Sequence, residues 1–227
     1  MSDRDPVAVL DILEEARELR LLGPGPVARQ LEHAVDLATA IGEFRGRVLD
    51  LGSGGGLPGL VLFDRWQDAS GALLDAQRRR CEFLTRAVAT LDLGSRVAVE
   101  CGRAELLARE EHLRAGFDLV VARSFGAPAV TAECAVSFLR GGGELVVTEP
   151  PDVDAPDADA SAAGAVERWP AAGVVERWPA AGLAELGFAS AEAIRAGNTG
   201  AIRLRLERAA DDRWPRRDGV PAKRPLW

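Results

Sequence analysis

The chain has 227 residues, of which 47% are hydrophobic, and this is enough for one domain with a sizeable core. A net charge of −7 excludes non-specific binding of nucleic acid by the whole surface, because an acidic protein repels a polyanion. No apolar run reaches the roughly 18 residues of a transmembrane helix, and the charged N-terminus has no apolar signal core. We therefore expect a cytoplasmic protein that does not bind membranes.

Apolar residues recur along the first 149 residues with periods that alternate between helix and strand. Helical spacing predicts helices at 7–22 and 27–41, and the Gly-Pro-Gly-Pro sequence between them ends the first. The elements predicted next are a strand at 47–52, a helix at 57–66, a strand at 71–76, a helix at 78–93, a strand at 96–102, a helix at 104–114, a strand at 117–125, a helix at 128–140 and a strand at 143–149. Short apolar strands alternating with helices predict an α/β fold, in which helices cover both faces of a parallel sheet.

The regular pattern stops after Glu149. An acidic stretch rich in Pro and Ala follows and is typical of a flexible linker. The sequence AAGAVERWP at 162–170 then recurs as AAGVVERWP at 171–179. Two copies are too few for a solenoid, so we interpret the repeat as a surface insertion and assign it no chemistry. A strand is predicted at 201–208, before a tail rich in proline.

These patterns divide the chain into five segments. They are an N-terminal helical segment at 1–42, a core at 43–150, an insertion with the repeat at 151–182, the last part of the same sheet at 183–209, and a basic, Pro-rich tail at 210–227.

Cys81, Cys101 and Cys134 are odd in number and far apart in sequence. Such cysteines fit a reduced, cytoplasmic protein better than a disulfide framework. Their spacing is not that of a zinc site, and the chain has only two histidines to complete one. We therefore expect three free thiols and no metal.

A glycine-rich turn, VLDLGSGGGLPGL, joins the first predicted strand to the helix after it. Ligands of open parallel sheets bind beyond the carboxyl ends of the strands, and glycines let the backbone bend there and touch a ligand. Asp75 ends the next strand, where a carboxylate is suited to accept hydrogen bonds from ribose hydroxyls. This context favours a nucleotide-type cofactor over a plain glycine-rich turn.

The residue types in the turn favour S-adenosylmethionine over NAD as the cofactor. Residues 50–56, D-L-G-S-G-G-G, resemble the first motif of class I S-adenosylmethionine (SAM) methyltransferases. NAD, whose binding loops usually carry G-x-G-x-x-G, is the second candidate.

Several motifs in order resemble the bacterial small-subunit (16S) rRNA guanine-N7 methyltransferase G family, also called the glucose-inhibited division protein B family. They are GSGGGLPGL at 52–60, LLDAQRRRCEFL at 73–84, GRAE at 102–105, FDLVVARSF at 117–125 and WPRRDGVPAKRPLW at 214–227. The resemblance implies a class I SAM-methyltransferase fold, Rossmann-like and doubly wound with a mostly parallel sheet. It also implies SAM as cofactor, and small-subunit rRNA or the 30S particle as partner of a monomeric enzyme.

The resemblance also implies site residues. Those expected at the cofactor are Asp50, Gly52, Gly54, Gly56, Leu57, Asp75, Ala104, Glu105 and Arg123. Those expected to grip RNA phosphates are Arg216, Arg217, Lys223 and Arg224, with Trp214 or Trp227 available to stack on a base. The alternatives are a structural ion pair for Arg123 and a merely solvated tail for the others.

No catalytic residue is expected, because guanine N7 already carries a free lone pair and loses no proton on methylation. Rate would come from holding N7 in line with the methyl group, and from acidic groups that tolerate a cationic cofactor and product.

Two departures from the family pattern keep other functions open. The family's fifth strand ends in Lys-Gly, whereas this chain has Glu149 near that place, and its N-terminal helical region is short, with only His33 and Asp36 left of a longer motif. They favour a non-catalytic or repurposed SAM-binding protein. A small-molecule SAM methyltransferase is the third possibility, favoured by the overall acidity.

Overall fold

The structure is a computed structural model that describes residues 6–149, 167–168 and 176–227. The helices in this part of the chain are α1 (Pro6–Glu18), α2 (Val27–Ile41), α3 (Gly59–Arg65), α4 (Arg78–Thr90), α5 (Ala104–Leu107), α6 (Pro128–Val136), α7 (Ala180–Leu186) and α8 (Val220–Lys223). The strands are β1 (Gly46–Leu51), β2 (Ala69–Asp75), β3 (Val97–Cys101), β4 (Phe117–Ala122), β5 (Leu139–Thr148), β6 (Glu167–Arg168), β7 (Glu192–Ala196) and β8 (Thr199–Arg205).

The strands form one sheet in the order β3-β2-β1-β4-β5-β8-β7-β6. Strands β1 to β5 are mutually parallel, and β8 and β7 extend the sheet antiparallel to their neighbours. The prediction of an α/β fold with a mostly parallel sheet is confirmed. The strand order reverses between β1 and β4, so the chain opens a crevice there, at the carboxyl ends of these strands.

Hydrophobic cores lie on both faces of the sheet, as expected when helices cover both sides. The large buried side chains of one core are Leu13, Leu37, Leu60 and Phe63, and those of the other are Phe117, Phe138 and Trp178. The sheet is therefore held rigidly between two helical layers, which fixes the positions of the strand ends that line the crevice.

Element boundaries differ from the predicted ones where the backbone leaves regular geometry. Helix α1 ends at Glu18, not at residue 22, because Arg20 adopts the left-handed conformation with φ of 57°. Strand β5 begins at Leu139, inside the predicted helix, and β7 was not predicted. Strand β7 forms a hairpin with β8 through Gly197, whose φ of 52° suits a tight turn.

The insertion contributes to the fold rather than lying on its surface. The linker and most of the first repeat copy lie outside the described residues, apart from β6, which pairs with β7. From the second copy, Trp178 is only 1% exposed and packs in the core beside α6 and α7. The interpretation of the repeat as a surface insertion is therefore wrong for its second copy.

Cys81 on α4 and Cys101 on β3 are joined by a disulfide bond, which corrects the expectation of three free thiols. The fold explains why residues 20 apart in sequence meet. Helix α4 starts three residues after Asp75, and Asp75 pairs in register with Cys101, so both cysteines lie at the same end of β2. Cys134 is free and buried.

No helix in ranges 6–149 and 176–227 is long and apolar enough to cross a membrane. No group of three or more His, Cys, Asp or Glu side chains in the same residues is placed to hold a metal ion.

Candidate functional site

A cavity of about 770 Å³ opens at the carboxyl ends of β1, β4 and β5. Its walls are the glycine loop after β1, the Leu21–Pro26 connection between α1 and α2, the β4 end at Arg123–Gly126, and the β5 end at Val147–Glu149. A second cavity of about 170 Å³ lies beside it, and Gly52 and Phe125 line both. The larger volume is in the range of cofactor and substrate sites.

The glycine loop forms the floor of the larger cavity. Gly52 and Gly54 have φ angles of 80° and 56°, a region that side chains disfavour. A Cβ at Gly52 would lie 2.6 Å from the Phe125 ring, whereas a Cβ at Gly54 would meet nothing closer than 3.8 Å. Gly54 therefore suits the bend through its positive φ rather than to avoid a clash, and Gly52 lets Phe125 pack against the loop. Leu57 also lines the cavity.

Gly56 has a different role from the one predicted. A Cβ there would lie 2.3 Å from a side-chain carbon of Leu60, and Gly56 lines neither cavity. Its lack of a side chain serves the packing of α3 rather than contact with a cofactor.

Asp75 lies at the end of β2, directly beside the loop. Its Oδ2 accepts hydrogen bonds from the Gly54 backbone N–H at 2.9 Å and from Arg80 at 3.3 Å, and its Oδ1 accepts one from the Gln77 backbone at 2.8 Å. A carboxylate oxygen has two lone pairs, so Oδ1 has one left for a further donor. Asp75 therefore fixes the loop; it is itself 3% exposed and lines neither cavity, so its free lone pair lies just behind the cavity wall.

Asp50 lies beneath the loop, not at the cavity surface. It is fully buried, lines neither cavity, and accepts a hydrogen bond from the Gly59 backbone N–H at 3.0 Å. Its Oδ1 has no hydrogen-bond partner among the described residues. Burial raises the pKa of Asp50 to about 6, against the opposing effect of hydrogen bonds from Ser53 and Gly59. Asp50 therefore braces the loop from below, which differs from the direct contact expected.

The smaller cavity is mainly apolar. Leu74, Ala104 and Val130 line it, with the buried carboxylate of Glu105 at one side. Glu105 accepts hydrogen bonds from Arg103 at 2.8 Å and from the Gly219 backbone at 3.2 Å. A flat, apolar ring with polar edges suits such a space.

Arg123 lines the larger cavity together with Gln30 and His33 of α2, which the sequence did not assign to the site. An Arg123 N–H donates to Gln30 Oε1 at 3.4 Å. Burial lowers the pKa of Arg123, while the nearby Asp50 opposes this change. Burial and then Arg123 lower the pKa of His33, and Asp36 opposes them. The His-x-x-Asp spacing of His33 and Asp36 was the available signal for this wall.

Glu149 lines the cavity on the side of β5. It is 5% exposed, and its Oε1 accepts a hydrogen bond from Trp178 Nε1 at 2.8 Å. Arg177 pairs with Oε2. Both partners come from the second repeat copy, to which sequence reasoning gave no chemistry.

The basic tail has a part that is paired within the fold and an exposed part. Arg216 pairs through two nitrogens with the fully buried Glu133, so its guanidinium is engaged within the fold, which differs from the RNA contact expected. The exposed cations of the tail are Arg213, Arg217, Lys223 and Arg224, of which Arg213 pairs with Glu185.

Both tail tryptophans pack within the fold, Trp214 almost completely and Trp227 in part. Trp214 is only 3% exposed. Trp227 donates its Nε1–H to the carbonyl of Arg177, and its ring lies against Gly182 on α7.

Comparisons with known proteins agree with this geometry. The profile of the GidB family, described as rRNA small subunit methyltransferase G, matches residues 25–150. The chain is 34% identical to the ribosomal RNA small subunit methyltransferase G of Moorella thermoacetica, over 79% of this chain and 69% of that protein. It is also 34% identical to the protein of the same name from Rubrobacter xylanophilus, over 86% of this chain and 72% of that one.

A solved structure shows the same fold. The O-methyltransferase from Bacillus cereus in complex with SAH has a TM-score of 0.59 to this chain, with 16% identity, over 90% of this chain and 92% of that one. At this identity the likeness concerns the fold alone. The profile match described above spans the glycine loop, Asp75 and Arg123.

Proposed function

This chain belongs to the rRNA small subunit methyltransferase G family, so it is a SAM-dependent rRNA methyltransferase, and we propose that its target is N7 of a guanine in small-subunit rRNA. The observation that carries the proposal is the crevice at the carboxyl ends of β1, β4 and β5, where the glycine loop, held by Asp75, borders a cavity large enough for a cofactor and a base.

The two cavities fit the parts of SAM. The apolar walls of the smaller cavity, at Leu74, Ala104 and Val130, suit an adenine ring, and Glu105 lies at its edge. Asp75 suits the ribose hydroxyls, because Oδ1 keeps an acceptor lone pair. The larger cavity, which Gly54 lines, suits the amino-acid part of the cofactor. Phe125, which lines both cavities, would then lie along the join between them.

When bound, SAM supplies an electrophilic methyl group whose C–S bond breaks toward sulfur, so that N7 gains a carbon without loss of a proton. The residues around the crevice need only position the base and exclude water. Asp50 fixes the loop through the Gly59 backbone N–H, and Gln30 orients Arg123 on the facing wall. The carboxylates of Asp50 and Asp75 also lower the cost of placing a cation nearby.

The target guanine must reach the crevice as an unstacked base, because its base edges are not accessible within a double-stranded RNA helix. Arg217, Lys223 and Arg224 are exposed cations of the tail, and we assign them to the RNA phosphates. Arg29, on the rim of the cavity, is 75% exposed in its side chain and suits the same purpose. These contacts give a local basic surface on an otherwise acidic protein.

Nucleoside mass spectrometry tests the proposal. Small-subunit RNA incubated with the purified chain and SAM should gain 7-methylguanosine, and rRNA from cells lacking the gene should lose one such nucleotide. Methylation of a different atom or of large-subunit RNA alone would contradict the proposal. The same assay tests bare RNA against 30S particles. We also propose that the enzyme is cytoplasmic and monomeric. Light scattering of the purified chain tests the oligomeric state.

The presence of Glu149 in the cavity favours a second function, that of a SAM-binding protein without rRNA methylation. An anion in the wall of the substrate cavity repels phosphates that approach it. SAM binding by calorimetry with no 7-methylguanosine in either assay would establish this function in place of the first.

A further inference from the structure

One wall of the larger cavity carries a carboxylate that the proposed cofactor placement leaves unused. Glu149 follows the last residue of β5, and β5 lies two strands away from β1. At the usual strand spacing of about 4.8 Å, this places Glu149 about 10 Å from the glycine loop. Glu149 therefore borders the part of the cavity that lies beyond the cofactor, where the target base must enter.

The second repeat copy fixes the orientation of this carboxylate. Trp178 is buried and donates to Oε1, and Arg177 pairs with Oε2. Each oxygen has two lone pairs, so each has one acceptor position left. A buried carboxylate held on both oxygens presents two adjacent acceptors in a fixed plane, and it would be costly to bury without such partners.

Guanine carries two adjacent donors, N1–H and N2–H, on the edge that lies away from N7. A guanine whose N7 faces the glycine loop therefore turns these donors toward the opposite wall. We propose that Glu149 binds N1–H and N2–H of the target guanine, and that Arg177 and Trp178 are the positioning residues that hold it there. This inference rests on the proposed function and names the residue that selects the base.

The pairing discriminates between bases and favours the reaction. Adenine presents an acceptor at its ring N1, and the lone pair would face the carboxylate of Glu149, so adenine is rejected. Methylation at N7 makes guanine cationic and its N1–H a stronger donor. The contact with Glu149 therefore strengthens as the charge develops, which is the condition for an interaction to increase kcat.

Inosine separates this role from a structural one, because it keeps N7, O6 and N1–H but lacks the N2 amino group. The test uses an rRNA fragment that the wild type methylates, and the same fragment with inosine at the methylated position. We expect kcat/KM of the wild type to fall about 10-fold on inosine, the usual effect of losing a hydrogen bond to a charged group. Glu149→Gln should lose about 10-fold or more on guanosine and show little further loss on inosine.

Glu144→Gln is the matched control. Glu144 lies on β5, the strand that Glu149 follows, and it pairs with Arg203 and lines neither cavity, so this variant should keep the activity and the base discrimination of the wild type. Calorimetry should give Glu149→Gln the SAM affinity of the wild type, since Glu149 is not assigned to the cofactor.

Each outcome decides the proposal. Equal wild-type kcat/KM on guanosine and inosine would overturn it. So would a Glu149→Gln variant that still prefers guanosine to inosine as strongly as the wild type does. If that variant does not fold, the comparison of the two fragments with the wild type is sufficient. If the wild type forms no 7-methylguanosine in any RNA, the proposed function fails and the inference fails with it, which is a result distinct from methylation without discrimination.

Discussion

Arg216 and Glu133 are 83 residues apart in sequence and form a two-pronged ion pair that fastens the tail to α6. Glu133 has no exposed surface, and its Oε1 also accepts the Arg216 backbone N–H at 2.9 Å. Removal of one partner leaves an unpaired buried charge, so we expect Arg216→Ala to lower the free energy of unfolding by about 3 kcal/mol or more. Urea denaturation measures this loss.

Arg217→Ala is the control for that prediction. Arg217 is the adjacent arginine and is exposed, so its removal should change the free energy of unfolding by less than about 0.5 kcal/mol. Equal effects of the two substitutions would show that the pair with Glu133 does not hold the tail.

Binding to RNA should depend on the exposed cations of the tail. We expect the triple variant Arg217→Ala, Lys223→Ala, Arg224→Ala to bind the rRNA fragment more weakly, with a slope of log affinity against log salt that is smaller by about 2. Filter binding at several salt concentrations measures the slope. Arg45→Ala, whose arginine is exposed and pairs with Asp68, should leave the slope unchanged. An unchanged slope in the triple variant would remove the tail from the RNA interface.

Asp75 should determine the affinity for SAM. We expect Asp75→Ala to weaken SAM binding at least about 10-fold, since it removes the proposed ribose acceptor and the anchor of the Gly54 backbone. Isothermal calorimetry measures the affinity, and circular dichroism checks the fold. Asp68→Ala is the control, because Asp68 precedes β2 at its other end and is exposed. Wild-type affinity in Asp75→Ala would exclude this residue from the cofactor site.

Asp50 should give the protein a recognisable dependence on pH. Burial raises the pKa of Asp50 from 3.8 to about 6 in the folded protein. Between these values the unfolded chain has lost the proton and the folded chain keeps it, so stability falls as pH rises, and the loss is complete above about pH 6. Asp50→Asn does not ionise, so its free energy of unfolding should gain about 3 kcal/mol on the wild type between pH 4 and pH 7. Parallel profiles in urea denaturation would contradict the raised pKa.

The disulfide bond predicts a thiol count. Alkylation of the denatured protein without reductant should modify one cysteine, Cys134, because Cys81 and Cys101 are joined. After reduction, all three should react, and intact-mass spectrometry distinguishes the two results. Three modified cysteines without reductant would restore the expectation of free thiols.

Features that depend on residues close together in sequence could be predicted, and contacts between distant residues could not. The order of strands and helices from 27 to 149 follows from periodicity, and the glycine loop and Asp75 were recognised because they follow two adjacent strands. Contacts between distant residues could not be read in this way. Nothing local indicates that Glu149 meets Trp178, or that Arg216 meets Glu133, since each pair depends on the packing of separate elements.

Asp50 shows a subtler limit of the sequence. Its position in the motif is correct, but its burial beneath the loop depends on α3, which brings the Gly59 backbone within 3.0 Å. A short polar strand such as β7 was likewise missed, because its pairing with β8 stabilises it more than its own composition.

The duplication in the insertion places one short sequence in two structural settings. Both copies end in Glu-Arg-Trp-Pro. Glu167 and Arg168 of the first copy form β6, whereas Arg177 and Trp178 of the second hold the carboxylate of Glu149. A nine-residue duplication has thus supplied both an edge strand of the sheet and the partners of a buried carboxylate, so neither copy can be removed without a change in the fold.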